Sequence, residues 1–219
     1  MGKEINLMKD YPRANRDISK RGNEKTEEDR RIAREFGKEF FDGDRKNGYG
    51  GFNYNSKYWK PVIPAFQSHF NLSSKDSILD VGCAKGFMLY DFSKIIPGME
   101  LRGIDISQYA IENCIEDMKD NLEVADARDL PFKDNSFDLV ISITTVHNFD
   151  EEECIQAVRE IQRVSKGKSF LTVDAYRNDE EKEAMLAWNL TAKTILHVNE
   201  WKRLFKDAAY SGDYYWFTP

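Results

Sequence analysis

The sequence predicts an α/β fold built on a doubly wound, mostly parallel sheet. From Ser77 onward, short apolar runs alternate with longer amphipathic segments, which is the pattern of βαβ units. A glycine-containing turn joins the first run to the segment after it, as in open sheets that bind a ligand at the carboxyl ends of their strands. The chain has 219 residues, which suffices for one such domain with a single core.

The predicted elements follow one another at the spacing of this fold. Strands are predicted at 78–81, 101–105, 122–125, 137–143, 169–173 and 213–218. Helices are predicted at 87–96, 107–118, 151–164, 179–191 and 199–209.

An extension is predicted to precede the main domain, with residues 1–55 forming the extension and residues 56–219 the domain. Thr26 followed by Asp29 resembles a capping box and predicts a helix start. Residues 10–24 show no clear periodicity and are interpreted as an arm.

A loop and an irregular helix are predicted next. Residues 41–54, here called the N-terminal loop, contain four glycines and interleaved aromatic residues. A helix is predicted at 56–70, with Pro61 and Pro64 making its first half irregular.

The composition restricts the class of protein. The formal net charge is -6 at pH 7, which disfavours a large nucleic-acid-binding face because phosphates are repelled. Cys83, Cys114 and Cys154 show no CxxC spacing, which argues against a disulfide framework or a zinc site. The sequence also lacks the apolar runs of a signal peptide or of a membrane span of ~20 residues. We therefore expect a cytoplasmic protein with no metal site, no nucleic-acid partner and no membrane association.

The turn DVGCAKG at residues 80–86 carries the main functional signal. Gly82 permits a sharp bend and close approach of a ligand, and Gly86 permits close packing of the following helix. The turn lacks the G-x-G-x-x-G spacing that places a pyrophosphate at a helix N-terminus, which disfavours an NAD-dependent enzyme. Asp80 would repel a pyrophosphate, but its carboxylate suits the cationic amino group of a methionine moiety.

Acids also follow the second and third predicted strands. Asp105 can accept hydrogen bonds from both hydroxyls of a ribose, with Ile106 packing against an adenine. Asp126 is placed to accept from the exocyclic amine of that adenine. The three acids together indicate a ligand with an adenosyl group and a cationic tail.

Four segments together resemble class I S-adenosylmethionine (SAM)-dependent methyltransferases. They are LDVGCAKG at 79–86, GIDIS at 103–107, DARDLPF at 126–132 and SFDLVIS at 136–142. The family commonly has Gly-x-Gly-x-Gly in the turn, so Ala84 is a departure. The resemblance is to small-molecule methyltransferases of the methyltransferase-11 or ubiquinone-biosynthesis type. The whole chain also resembles, less specifically, methyltransferases associated with bacterial surface-glycan gene clusters.

This resemblance implies a Rossmann-like fold, with SAM as methyl donor and S-adenosylhomocysteine as product. The residues implied to contact SAM are Asp80, Gly82, Cys83, Ala84, Gly86, Asp105, Ile106, Asp126, Ala127 and Ile143. The family sheet usually has seven strands and ends in an antiparallel hairpin. Because one predicted strand follows the fifth, either the seventh strand is absent or residues 192–198 supply something unusual.

Candidate residues for the methyl acceptor follow the fourth and fifth predicted strands. His147 is a candidate general base for an acceptor hydroxyl, because the ordinary pKa of histidine is about 6.5. The alternative is that His147 takes no part in the chemistry. Asp174 and Tyr176 are candidates to orient the substrate, although Asp174 equally suits a helix cap.

The N-terminal loop supplies further candidates. Tyr49, flanked by glycines, is predicted to close over SAM as a lid, and Tyr54 is assigned to the substrate side. Four cations are candidates for binding an anionic substrate group: Arg13, Arg16, Arg45 and Lys46. The alternative, which we favour for the loop cations, is a solvated loop.

The predicted function is methyl transfer from SAM to an oxygen or nitrogen of a small molecule, with a sugar or nucleotide sugar as one candidate class. The alternatives are a protein or RNA methyltransferase of the same fold and a non-catalytic SAM-binding protein. The fourth strand is not followed by Asn/Asp-Pro-Pro-Tyr/Phe, which disfavours an amino-methyltransferase acting on DNA or glutamine. The aromatic strand at 213–218 leaves a homodimer contact open.

Overall fold

Seven strands form the sheet of the computed structural model, which describes residues 2–12 and 25–218. The strands are β1 (Ser77–Val81), β2 (Glu100–Asp105), β3 (Leu122–Val124), β4 (Leu139–Ile143), β5 (Ser169–Tyr176), β6 (Leu196–His197) and β7 (Asp213–Phe217). Hydrogen-bonded neighbours follow the order β3-β2-β1-β4-β5-β6, and β7 also pairs with β5. Each of these pairings is parallel. The predicted α/β, Rossmann-like architecture is confirmed.

Helices connect the strands and precede them. In residues 25–218 the α-helices are α1 (Glu27–Ala33), α2 (Lys38–Phe41), α3 (Ser56–Trp59), α4 (Ile63–Phe70), α5 (Phe87–Ile95), α6 (Gln108–Glu112), α7 (Glu151–Val164), α8 (Asp179–Trp188) and α9 (Val198–Asp207). Two 3-10 helices occur at Glu116–Asn121 and Val146–Asn148. Across the described residues, no helix has the length and apolar character needed to cross a bilayer.

The alternative that the seventh strand is absent is wrong. Residues 192–198 supply β6, a strand of two residues that pairs with Ala175 and Tyr176 at the end of β5. The expected antiparallel hairpin is also wrong, because β7 runs parallel to β5. The helix α9 lies between β6 and β7, and a helical crossover allows the chain to return in the same direction.

Residues 2–5 lie along β7. The Ile5 amide donates to the Tyr214 carbonyl (2.9 Å), and the Tyr214 amide donates to the Lys3 carbonyl (3.0 Å). On one face of β7, the ring of Trp216 stacks on Phe205 of α9 with centroids 5.8 Å apart. The chain itself therefore buries this face of the aromatic strand, and the homodimer stays a prediction.

Two predicted helices are divided for identifiable reasons. The helix predicted at 107–118 is interrupted after α6, where the Ile115 amide donates to the Lys85 carbonyl (3.0 Å). The helix predicted at 56–70 separates into α3 and α4 around Pro61, since proline has no amide hydrogen to continue a helix. The capping box at Thr26 is confirmed, with its hydroxyl accepting from the Asp29 amide at 3.1 Å.

The core surrounds the sheet on both faces. One hydrophobic cluster includes Val158 of α7 and Trp201 of α9, and the other includes Phe66 of α4 and Phe92 of α5. The side chains of β1 are all buried as a result. Open space for a ligand is therefore found where the strands end, at their carboxyl ends.

Candidate functional site

The glycine turn between β1 and α5 adopts backbone conformations that most residues disfavour. Gly82 and Gly86 have φ of 86° and 78°, and Ala84, at 49°, also lies in the left-handed region. A Cβ on Gly82 would collide with the Thr145 side chain, so both backbone conformation and space require glycine there. The strain at Ala84 is offset by a hydrogen bond from its amide to Asp105 Oδ2 (2.8 Å).

Asp105, at the end of β2, is held by two backbone amides. Its Oδ2 accepts from Ala84 and its Oδ1 from Ser107, each at 2.8 Å. Burial raises the pKa of the carboxyl group, while the two amides act in the opposite direction. The orientation of the carboxylate is therefore fixed, with lone pairs left for further donors.

Asp80 is a buried carboxyl group near the end of β1. It is 4% exposed and borders a cavity at the carboxyl ends of the strands. Burial, together with the nearby Asp105 carboxylate, raises its pKa to about 7. A cationic ligand group beside Asp80 would favour the ionised form and lower this pKa.

One cavity of about 390 Å³ joins the glycine turn to the carboxyl ends of β4 and β5. Eight of the predicted site residues line it: Tyr49, Asp80, Gly82, Cys83, Ala84, Ile143, His147 and Asp174. Both terminal parts of the described chain contribute further side chains, among them Met8, Tyr11, Trp59, Trp188, Tyr215 and Phe217. Segments far apart in the sequence thus enclose one space.

The remaining predicted site residues lie outside the lining of this cavity. They are Tyr54, Gly86, Asp105, Ile106, Asp126, Ala127 and Tyr176. Ile106 is 51% exposed beside Asp105, whereas Ala127 is buried in the core. Asp126 forms an ion pair of 2.5 Å with Arg128, and the hydrogen bonds from this guanidinium hold the pKa of Asp126 below its usual value.

The two predicted substrate tyrosines outside the lining have other partners. The Tyr54 hydroxyl donates to Asp91 Oδ1 at 2.8 Å, and burial together with this carboxylate raises the pKa of Tyr54 to about 12. The Tyr176 ring lies 5.7 Å from the His197 ring, measured between centroids. In this arrangement neither tyrosine reaches the cavity.

Aromatic side chains of the N-terminal loop pack against one another beside the glycine turn. The ring centroid of Tyr49 lies 4.2 Å from that of Phe52 and 5.1 Å from that of Phe40. Phe52 in turn stacks on Phe87, the first residue of α5, at 5.0 Å. Burial of the Tyr49 hydroxyl raises its pKa, and the charge of the Asp105 carboxylate acts in the same direction. The residue as a whole is 43% exposed, and it borders the cavity. Tyr49 therefore borders the cavity and is close enough to Asp105 to be affected by its charge.

The loop cations are engaged within the loop and its neighbours. Arg45 Nη1 donates to the carbonyls of Gly48 (3.0 Å) and Tyr49 (2.5 Å). Lys46 Nζ lies 3.7 Å from Asp29 Oδ1 of α1. These contacts give both cations a role in holding the loop. The predicted partners Arg13 and Arg16 lie outside the described residues.

His147 and Asp174 meet at the carboxyl ends of β4 and β5. His147 Nδ1 accepts a hydrogen bond from the Asp174 amide at 2.9 Å and lies 3.5 Å from Asp174 Oδ1. Burial lowers the pKa of His147, although the Asp174 carboxylate acts to raise it. Burial raises the pKa of Asp174, although His147 acts to lower it. Both residues are buried, and both border the cavity.

Sequence reasoning missed the partner of the buried lysine in the glycine turn. Lys85 is 5% exposed, and its Nζ lies 2.6 Å from Asp42 Oδ2 in the N-terminal loop. Lys85 was visible within the turn, but an ion pair with a residue 43 positions away leaves no pattern in a sequence. Asn148 is one of the positions after the fourth strand that the sequence places on the acceptor side. Its Oδ1 is buried without a hydrogen-bond partner among the described residues, and the residue borders the cavity.

Residues 79–173 match a family model described as a methyltransferase domain. These residues are a class I SAM-dependent methyltransferase domain. The methyltransferase domain includes most of β1, all of β2 to β4 and most of β5, together with the glycine turn and His147. The resemblance inferred from the four sequence segments is confirmed at this level, and the link to surface-glycan gene clusters stays a prediction.

Curated relatives of the methyltransferase domain match over part of their own length. A tRNA (carboxymethyluridine(34)-5-O)-methyltransferase of Arabidopsis thaliana is 33% identical over 144 residues, which are 64% of this chain and 33% of that protein. A malonyl-(acyl-carrier protein) O-methyltransferase of Legionella pneumophila is 30% identical over 127 residues, which are 56% of this chain and 44% of that protein. The chain therefore spans less than half the length of these two relatives.

A solved structure shares the fold. The YcgJ protein from Bacillus subtilis has a TM-score of 0.55 and 22% sequence identity, with 67% of this chain and 66% of that chain covered. At this identity the likeness concerns the architecture of the methyltransferase domain alone.

Proposed function

We propose that this protein binds SAM at the glycine turn and transfers its methyl group to an oxygen or nitrogen of a small molecule in the cytoplasm. The observation that carries the proposal is the single cavity that joins Asp80 and the turn to His147 and Asp174. A donor at one end and an acceptor at the other would meet inside it. Methyl transfer depends mainly on such alignment.

The residues at the turn fit the methionine end of SAM. Asp80 is a buried carboxyl group that a cationic amino group would keep ionised. Gly82, Cys83, Ala84 and Ile143 border the same cavity. SAM supplies an activated methyl group on a sulfonium, so the chain contributes binding and orientation.

The adenosine end of SAM is assigned to residues at the carboxyl ends of β2 and β3. Asp105 would accept from the ribose, Ile106 would pack on the adenine, and Asp126 with Ala127 would meet its edge. Because Tyr49 borders the cavity and Asp105 does not, movement of the N-terminal loop would admit this part of SAM. Gly86 supports the site by allowing α5 to begin close to the sheet.

The acceptor end is assigned to the ends of β4 and β5. His147 and Asp174, the two residues that the sequence assigned to the acceptor side, both border this end of the cavity. The substrate roles predicted for Tyr54 and Tyr176 would need a different arrangement of their segments, because neither borders the cavity. A net charge of -6 supports a small molecule over RNA as the acceptor. The two curated relatives make RNA and carrier-bound acids the competing outcomes.

Calorimetric titration with SAM and with NAD tests the donor. We expect SAM to bind, NAD not to bind, and Asp80→Asn to weaken SAM binding by about tenfold or more through loss of the charge pair. Asp207→Asn is the matched control, because Asp207 is exposed at the end of α9. Equal affinities for SAM and NAD would contradict the donor assignment.

Formation of S-adenosylhomocysteine tests the transfer. The enzyme is incubated with SAM and with separate sets of phenols, alcohols, amines, carboxylic acids and transfer RNA. Turnover with a small molecule is expected. Turnover with transfer RNA alone would replace the small-molecule assignment by the RNA alternative.

A further inference from the structure

The His147 ring links the carboxyl ends of β4 and β5 through its Nδ1. Nδ1 accepts the hydrogen bond from the Asp174 amide at 2.9 Å, so Nδ1 carries no proton. The proton of the neutral ring is therefore on Nε2, which is a donor. In this state the ring has no lone pair with which to take a proton from a substrate.

Burial favours this state of the ring. His147 is 3% exposed, and burial lowers its pKa against the Asp174 carboxylate and the Thr144 carbonyl, which act to raise it. A proton on Nδ1 would point at the hydrogen of the Asp174 amide. The neutral form protonated at Nε2 is therefore the form that these contacts select.

The Asp174 carboxylate has the opposite character. It borders the cavity, it is 6% exposed, and burial raises its pKa. In the described part of the chain its titratable neighbour is His147, and no Lys or Arg there forms an ion pair with it. From α9, Trp201 contacts the Asp174 main chain, donating its indole hydrogen to the carbonyl at 2.9 Å. A carboxylate in such surroundings accepts a proton more readily than one in water.

We propose that Asp174 accepts the proton of the methyl acceptor and that His147 is a positioning residue that holds Asp174 in place. The inference rests on the proposed methyltransferase function. A lone pair of the acceptor oxygen or nitrogen forms the new bond to the methyl carbon, and the carbon–sulfur electron pair returns to sulfur. The acceptor's proton passes to an Asp174 oxygen and later leaves to water, which balances atoms and charge.

This assignment restricts the substrate to one whose acceptor atom carries a proton, namely a hydroxyl or an amine. A carboxylate acceptor has no proton to give at neutral pH and would face the Asp174 carboxylate in a buried space. The lining of the cavity includes apolar side chains from several segments: Met8, Trp59, Leu190 and Phe217. These side chains favour a largely apolar body for the substrate.

The tautomer of His147 tests the inference without any substrate. Long-range proton–nitrogen correlation spectra of the full chain, labelled on histidine, would be recorded between about pH 6 and about pH 8. His147→Asn identifies the ring signals by their loss. A neutral ring protonated at Nε2 across this range is the expected result. A ring protonated at Nδ1, or one that titrates near its ordinary pKa of about 6.5, overturns the inference whether or not SAM binds.

Turnover of a phenol or alcohol separates the two residues. Asp174→Asn keeps the shape of the side chain but cannot take a proton, so kcat should fall about 10²- to 10⁴-fold while SAM affinity is unchanged. His147→Asn places an oxygen near the position of Nδ1 to accept from the Asp174 amide, so kcat should stay within about tenfold of wild type. His147→Leu cannot accept that bond and should lose more than His147→Asn.

Two results in these assays would overturn the inference. One is a loss of kcat in His147→Asn as large as that in Asp174→Asn, with circular dichroism showing both variants folded. The other is a preference for carboxylic acids over hydroxyl and amine acceptors. Failure of the wild-type protein to bind SAM would refute the proposed function instead, and the ring spectra would still decide the tautomer.

Discussion

Lys85, inside the glycine turn, forms a 2.6 Å ion pair with Asp42 of the N-terminal loop. The same carboxylate accepts from the Tyr109 hydroxyl and from the Phe52 amide, each at 2.8 Å. The Asp42 carboxylate therefore links the N-terminal loop, the helix α6 and the glycine turn. The N-terminal loop and the proposed SAM site are thereby coupled through a buried cation.

Replacing Lys85 by methionine should lower the free energy of unfolding by about 3 kcal/mol, because Asp42 would then lack its cation in a partly buried position. Urea denaturation measures the change. Lys94→Met is the control, since Lys94 and Asp117 form an exposed pair whose loss should change stability much less. The double variant Lys85→Met, Asp42→Asn should recover part of the loss. Similar destabilisation by the two lysine substitutions would contradict the coupling.

The pKa of Asp80 predicts how SAM binding changes with pH. With a pKa of about 7 in the free protein, Asp80 is partly protonated at neutral pH and must lose its proton to pair with an amino group. SAM affinity should therefore rise between about pH 6 and about pH 8, and binding near pH 7 should release protons. Calorimetry in buffers of different ionisation enthalpy measures that release. Asp80→Asn should remove it, whereas a release equal to that of wild type would assign it to another group.

The same carboxyl group affects stability in the opposite direction. An unfolded Asp has a pKa near 3.9, so between about pH 4 and about pH 7 the folded state binds more protons than the unfolded state. The stability contributed by the protonated form is therefore present at low pH and is lost as pH rises through the folded pKa of about 7. Asp80→Asn should flatten this decline, which is measurable as a smaller change in the urea midpoint across that pH interval.

Tyr49→Ala should weaken SAM binding by about tenfold, because the ring packs on Phe52 and borders the cavity. Tyr49→Phe keeps the ring and should bind SAM nearly as well as wild type. Tyr90→Ala serves as the control, since Tyr90 lies outside the cavity lining. The lid would have to be rejected if Tyr49→Ala bound SAM with unchanged affinity.

Gly82→Ala should destabilise the fold more than Gly167→Ala. Both positions have positive φ, 86° and 119°, so each alanine incurs backbone strain of about 1–2 kcal/mol. At Gly82 the new methyl group would also meet the Thr145 side chain, whereas space around Gly167 is open. Thermal unfolding of the two variants compares these contributions. Equal shifts in Tm would mean that Thr145 moves aside without cost.

Much of the fold was predictable because it depends on local periodicity. The helix at Glu151–Val164 agrees with its prediction at both ends, since an acidic first turn and an amphipathic pattern mark them. The two-residue strand β6 was not predictable, because so short a run carries no alternation of its own. The break after α6 depends on a bond from Ile115 to the glycine turn, which is a tertiary contact and leaves no local signal.

The candidate site also contains residues that were predictable from the sequence and residues that were not. Asp80, Gly82 and Asp105 were predictable because a turn between a strand and a helix fixes their positions within a few residues. The orientation of His147 was not, because the hydrogen bond to its Nδ1 comes from Asp174, 27 residues later. Which tyrosines face the cavity was likewise beyond prediction, since Tyr54 finds its partner in Asp91, 37 residues away.

The pairing of residues 2–5 with β7 joins positions about 210 residues apart, as the hydrogen bond from the Lys3 amide to Asp213 shows. Bringing such distant segments together carries a larger entropy loss than closing the helical crossovers between neighbouring strands. This margin of the sheet should form last during folding and open first in the native state. The Ile5 and Tyr214 amides would then exchange with deuterium sooner than those of β1, although Tyr214 is buried. Closing this margin of the sheet therefore requires the intervening segment of about 210 residues to be in place.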